Sequence, residues 1–146
     1  MKKLYGVAAT ILLIITLILI FIFIQISKPY SAIITMNWSV EIPKTYKEVY
    51  SKDSGASFHG DGERYHIFQY SNENDIIKAI DWIDGKNTLM EAQVNKVLNI
   101  LEIPIEAMPE FQADYKYYTK IKEDSSKLYF IFVTGTKKLY IIEDIL

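Results

Sequence analysis

The chain has no cysteine among its 146 residues. That removes disulfides and a lipid-modified N-terminal cysteine, and it suits a surface domain built without cross-links. Charge is missing from residues 4–27, where Gln25 is the first strongly polar side chain. Internal repeats and low-complexity tracts are absent, so solenoid and linker-like architectures are excluded. No Gly-x-Ser-x-Gly elbow is present, and neither is the spaced Asp/Asn loop of a calcium site. Gly6 and Ala9 stand three apart, not four, so no Gly-x-x-x-Gly dimer face exists.

What is there begins with the uncharged run. Leu4 to Ile24 would rise about 31 Å as a helix, close to the roughly 30 Å of a bilayer core. Lys2 and Lys3 precede it, and Lys28 alone follows before Pro29. The basic excess on the leading side places the N-terminus in the cytoplasm and the rest of the chain outside. A cleaved signal peptide fits less well. Signal cores run about 7–15 apolar residues, and Ser27-Lys28-Pro29-Tyr30 lacks a small-x-small junction. The expectation is an uncleaved, single-pass transmembrane anchor over residues 1–28, partnered by the lipid bilayer through Leu4–Ile24, and a single extracytoplasmic α+β domain over 29–146 in the cell membrane.

That exported part holds 14 Lys and Arg against 18 Asp and Glu, a net charge of −4. The sign argues against nucleic acid and anionic lipid surfaces as partners. Lys116, Lys120, Lys122 and Lys127 cluster locally and read as a solvated face of alternating strand positions. The abundance of Ile, Lys, Asn and Tyr hints at an AT-rich bacterial genome.

Ile34, Met36, Trp38, Val40 and Ile42 alternate with mostly polar residues, the period of a half-buried strand, and Pro43 ends it. Lys44 to Tyr50 fits one or two helical turns. Ser51 to Gly62 is a loop. Glu63 to Tyr70 reads as a strand with Tyr65, Ile67 and Gln69 on one face and His66, Phe68 and Tyr70 on the other. A helix is expected over Glu73–Asp84, capped by Asn72. A second covers Thr88–Leu101, opened by a Thr88–Glu91 capping box and carrying the stripe Met90, Val94, Val97, Leu98 and Leu101. Three C-terminal strands over residues 115–122, 128–133 and 139–142 form an antiparallel meander. The sum is a mainly antiparallel sheet of about five strands with two helices on one face. The expected core includes Trp38, Ile67, Ile80, Ile83, Val94, Leu98, Leu101, Phe130 and Phe132.

The only dense polar constellation is the loop 54–63 with its following strand. Ser57, His59, Asp61, Glu63 and His66 are its candidate residues. Glu63 and His66 fall on opposite strand faces and cannot share one ion without a bulge. His59 and Asp61 alone make a poor zinc site, so no metal or cofactor is expected. Ser54 or Ser57 with His59 and Asp61 has the residue types of nucleophilic catalysis, but triads converge from separate parts of a fold. Turn chemistry explains the same residues: Gly55, Gly60 and Gly62 give backbone freedom, and Ser57 and Asp61 can bond nearby amides. The loop is therefore read as structural or as a recognition loop, and no catalytic residue is assigned. Most of the aromatics are expected as core or sheet cover, and the alternative for a subset, on the sheet face away from the helices, is a contact surface for a partner.

Ser57-Phe58-His59-Gly60-Asp61-Gly62 before a strand, and the C-terminal Lys-Lys-Leu-Tyr-Ile-Ile-Glu-Asp, accompany the basic start and long anchor. In this the chain resembles small uncharacterised membrane-anchored proteins of Gram-positive bacteria, a resemblance that implies the tethered layout and transfers no activity. The functional expectation is a membrane-tethered extracytoplasmic binding or accessory module, with another envelope protein as a partner and more a binder than an enzyme. The alternatives are an extracytoplasmic hydrolase using His59 and Asp61, and a structural subunit of a membrane complex.

Overall fold

The computed structural model describes residues 2–26, 28–55, 57 and 60–146, and the side chains of the first helix from Thr10 to Ile22. That helix, α1, runs Lys2–Ile26. Residues 10–22 rise only about 20 Å, and among the described residues no helix is long and apolar enough to cross a membrane.

Beyond α1 the chain folds as α+β around a six-stranded antiparallel sheet. The elements are α2 (Tyr30–Trp38), β1 (Tyr46–Asp53), β2 (Gly62–Tyr70), α3 (Glu73–Ile77), β3 (Ile83–Asp84), α4 (Thr88–Ile100), β4 (Tyr115–Ile121), β5 (Lys127–Val133) and β6 (Lys138–Ile145). Strand order is β1-β2-β6-β5-β4-β3, which leaves β1 and the two-residue β3 as edges.

The C-terminal meander and the Glu63–Tyr70 strand form where the alternation places them. Four other expectations are corrected. Residues 34–38 are helical: Tyr30, Ile34 and Trp38 share one face at i, i+4 and i+8 and reach the sheet, while Met36 stays 70 % exposed. Ser39, in the left-handed region at φ 53°, ends α2 by giving its N–H to Thr35 O. Residues 46–50 are strand. Their two tyrosines look helical at i and i+4, but a bulge between Glu48 and Tyr50 resets the alternation. Tyr46 thus stacks on Phe68 at one face, while Tyr50 meets Tyr65 edge-on at the other.

The helix expected over Glu73–Asp84 stops at Ile77. The Ile76 carbonyl, which a continuing helix would offer to residue 80, accepts instead from Ala79 N and from Trp82 Nε1 at 3.1 Å. The chain then runs out to pair Ile83 and Asp84 with β4. Ile83 is therefore a surface residue, not core, and the sheet gains a sixth strand.

Helices cover both faces of the sheet, not one. α4 packs Met90, Val94, Val97 and Leu98 on the side of Tyr65, Ile67, Tyr129, Ile131, Tyr140 and Ile142. α2 and α3 bring Ile34, Trp38 and Ile76 to the side of Phe68, Phe130, Phe132, Leu139 and Ile141. The cause lies in β5 and β6, which are apolar without a break over residues 128–133 and 139–142. Two buried faces need two covers.

The cap of α4 is Asn87, whose Oδ1 accepts from Met90 N at 3.0 Å, not the Thr88 of the expected capping box. Asn87→Ala should cost about 1 kcal/mol and Thr88→Ala much less. Urea melts of the two variants in full-length form check this, and equal losses would refute the assignment.

Candidate functional site

Where helix α2 crosses the sheet, a polar cluster is buried among aromatics. It begins with register. Arg64 on β2 stands opposite Glu143 on β6, which in turn stands opposite Leu128 on β5. One row along, His66 neighbours Ser51 on β1 and Ile141 on β6. Glu143 is fully buried and His66 nearly so.

The two ends of α2 close over this row. The Tyr30 hydroxyl donates to Glu143 Oε2, and the Trp38 indole N–H donates to Glu143 Oε1 at 2.5 Å. Both carboxylate oxygens thus accept, one from each end of a nine-residue helix. Burial, reinforced by the Glu143 charge, holds the Tyr30 hydroxyl far above its ordinary pKa, so it stays a donor. The neighbouring Arg64 opposes that shift.

Beneath Tyr30 lies His66, its ring stacked at 3.3 Å between centroids with 22° between planes. His66 Nδ1 pairs with Glu48 Oε1 at 2.6 Å. Burial lowers the His66 pKa below its usual value. The hydrogen bond and charge of Glu48, with Glu143 and Asp53 behind it, pull the other way and do not prevail. The ring is thus harder to protonate than a free imidazole, even with Glu48 beside it.

The far end of α2 is held by lysines. Lys120 Nζ donates to the Trp38 carbonyl at 2.6 Å, and Lys122 Nζ sits 4.4 Å from the Trp38 ring centroid. Lys116 bonds Asp84, and Lys127 pairs with Asp144 at 3.8 Å. The local lysine cluster is thus partly spent on fixing α2 and β3, where a merely solvated face was expected.

The candidates singled out in the sequence separate. Ser57 Oγ donates to Asp61 within the loop. Glu63 is the second residue of β2, its N–H donating to Ser54 Oγ at 3.0 Å. A side chain at Gly62, where φ is +121°, would collide with Ser54 Oγ, so this glycine is required by close approach. His66 belongs to the α2 cluster, on the opposite strand face from Glu63. His59 lies outside the described residues. Arg64 connects the two regions, donating to the Gly60 carbonyl at 3.0 Å while standing beside Tyr30. Among the described residues, no group of three or more His, Asp or Glu is placed to hold a metal ion.

Glu143, Arg64, Tyr30 and Trp38 were missed as a set, although two signals were available. Glu143 follows Leu139 and Ile141 at the same parity in an apolar strand, which puts a charge on a buried face. Arg64 is the single arginine of the chain. Such a cluster can orient and clamp α2; its donors and acceptors are directed at one another. A second feature of the surface is open. Beside the edge strand β1 lies a groove of about 450 Å³ lined by Val49, Tyr50, Ile67, Gln69, Pro104 and Ala107. Comparison with protein-family models, with curated proteins and with solved structures finds no match for this chain, so its residues and their geometry alone carry the functional reading.

Proposed function

We propose that the chain is a single-pass membrane protein whose residues 29–146 form an extracytoplasmic binding or accessory module. One observation carries the tether. From Ile11 to Ile22, eleven large apolar side chains around α1 are each at least 45 % exposed. A helix that is apolar all round needs a core or a bilayer about it, and the folded domain leaves these residues uncovered. The uncharged residues 4–27 extend the same surface to bilayer length. Lys2 and Lys3 set the N-terminus inside.

The binding surface is the β1 side. Among the described residues, the outer side of the eight-residue β1 pairs with no strand, and it lies next to the Val49 groove, the arrangement by which an extended segment of another protein adds to a sheet. Val49, in the bulge, is 46 % exposed. Protease added to intact cells should digest the C-terminal domain, and protection of a C-terminal tag would overturn the topology. A photo-crosslinker at Val49 should capture a membrane-associated protein that one at the exposed Leu89 does not. Equal capture at both positions, or none, removes the β1 surface from the proposal.

A further inference from the structure

The α2 cluster is more than packing. α2 contains no charged residue, its N-cap Pro29 supplies no side-chain cap, and at nine residues it is shorter than helices that persist alone in water. It is helical because it is docked. Docking rests on Tyr30 and Trp38 meeting one carboxylate, on the Tyr30–His66 stack, and on Ser31 N–H donating to the Tyr46 hydroxyl at 3.1 Å. It is also imperfect: Ser31 Oγ is buried without a hydrogen-bond partner among the described residues, a standing cost. Only residues 27–29 separate α2 from α1.

We propose that α2 is an acid-released latch: Glu143 and the His66 ring stacked under Tyr30 hold it on the sheet, and protonation of His66 lets it go. Release would free the domain to turn on its tether and uncover the sheet face of Phe68, Phe130 and Ile141. That consequence rests on the tethered reading; the latch itself does not.

The groups facing His66 are Glu48 and Asp53 from β1, Glu143 from β6, Tyr30 from α2 and its strand neighbour Arg64. Three carboxylates attract a proton to the ring, while burial beneath Tyr30 opposes it and prevails. A ring that takes up its proton more readily when released than when docked favours docking at pH values above the released ring's own pKa. It weakens docking by up to about tenfold for each pH unit below that, until the docked ring is itself protonated. Loss on acidification is thus the expected sign.

The test is amide hydrogen exchange of the full-length chain in detergent micelles, with rates expressed as protection against the intrinsic rate at each pH. Between pH 7.5 and 5.0, α2 should lose about tenfold in protection while β5 and β6 keep theirs. His66→Gln should abolish that selective loss. Should that variant not fold, Glu48→Gln serves instead: it removes a group that favours the charged ring, so the release should move to lower pH. Unchanged α2 protection in the wild type overturns the latch. So does loss of α2 and the central strands together, or release at the wild-type pH in the variants. None of these outcomes depends on membrane topology, which the protease experiment reads separately.

Discussion

Leu98→Asp should leave no folded domain. Leu98 is wholly buried on α4, packed on the sheet with Val94 and Leu101. The substitution replaces an apolar contact with a charge that has no partner within that cluster. Burying an unpaired carboxylate costs several kcal/mol even after it neutralises, against a total stability of about 5–15 kcal/mol. Leu89→Asp is the control within the same helix. Leu89 is 70 % exposed, and its substitution should change stability by no more than about 0.5 kcal/mol. Urea melts followed by circular dichroism, both variants in full-length form, separate the two. A cooperative, undiminished melt for Leu98→Asp would place the stripe at the surface and refute the packing of α4.

Glu143→Ala should be nearly as damaging, for the opposite reason. The change removes an acceptor and leaves the part-buried Tyr30 hydroxyl and the buried Trp38 indole N–H without the carboxylate to which they donate. At about 1–3 kcal/mol for each orphaned group, the loss is roughly 2–6 kcal/mol. The double variant Tyr30→Phe with Glu143→Ala should lose less than the sum of the two single changes, because the first removes one of the orphans. Full additivity in that cycle would show that the hydroxyl and the carboxylate do not interact.

How far the sequence revealed all this follows from period and parity. The meander from Tyr115 to Ile145 was legible because β5 is apolar at both parities and the turns beside it are marked. The α4 stripe was legible because Met90, Val94, Val97, Leu98 and Leu101 satisfy only a helical period. The segment around Ile34 satisfies two periods at once: Ile34, Met36 and Trp38 alternate, and Tyr30, Ile34 and Trp38 wind. Tertiary docking through Glu143, 105 residues beyond Trp38, decides between them, and no local window contains that partner. The bulge in β1 obscured a strand in another way: with one extra residue between Glu48 and Tyr50, tyrosines four apart face opposite sides of the sheet, which regular alternation does not anticipate. Among the site candidates, the opposite-face placement of Glu63 and His66 was readable from strand parity. The grouping of His66 with Tyr30 and Glu48 was not, because it depends on α2.

The unequal edges of the sheet bear on stoichiometry. β1 offers eight residues to a neighbour, while the far side is stepped: β3 is two residues long and pairs only with Lys116 and Tyr117, leaving Tyr118–Ile121 of β4 as the rest of that edge. An edge that joins one additional strand at β1 is consumed by doing so, and the next molecule would have to register on the stepped far side. Two copies meeting β1 to β1 would form a closed pair about a two-fold axis, and a foreign strand would occupy the same place in its stead. Growth into an open filament, the hazard of sheets with two long free edges, is hindered at the far side by the step between Ile83–Asp84 and the stretch Tyr118–Ile121 of β4 that β3 does not cover.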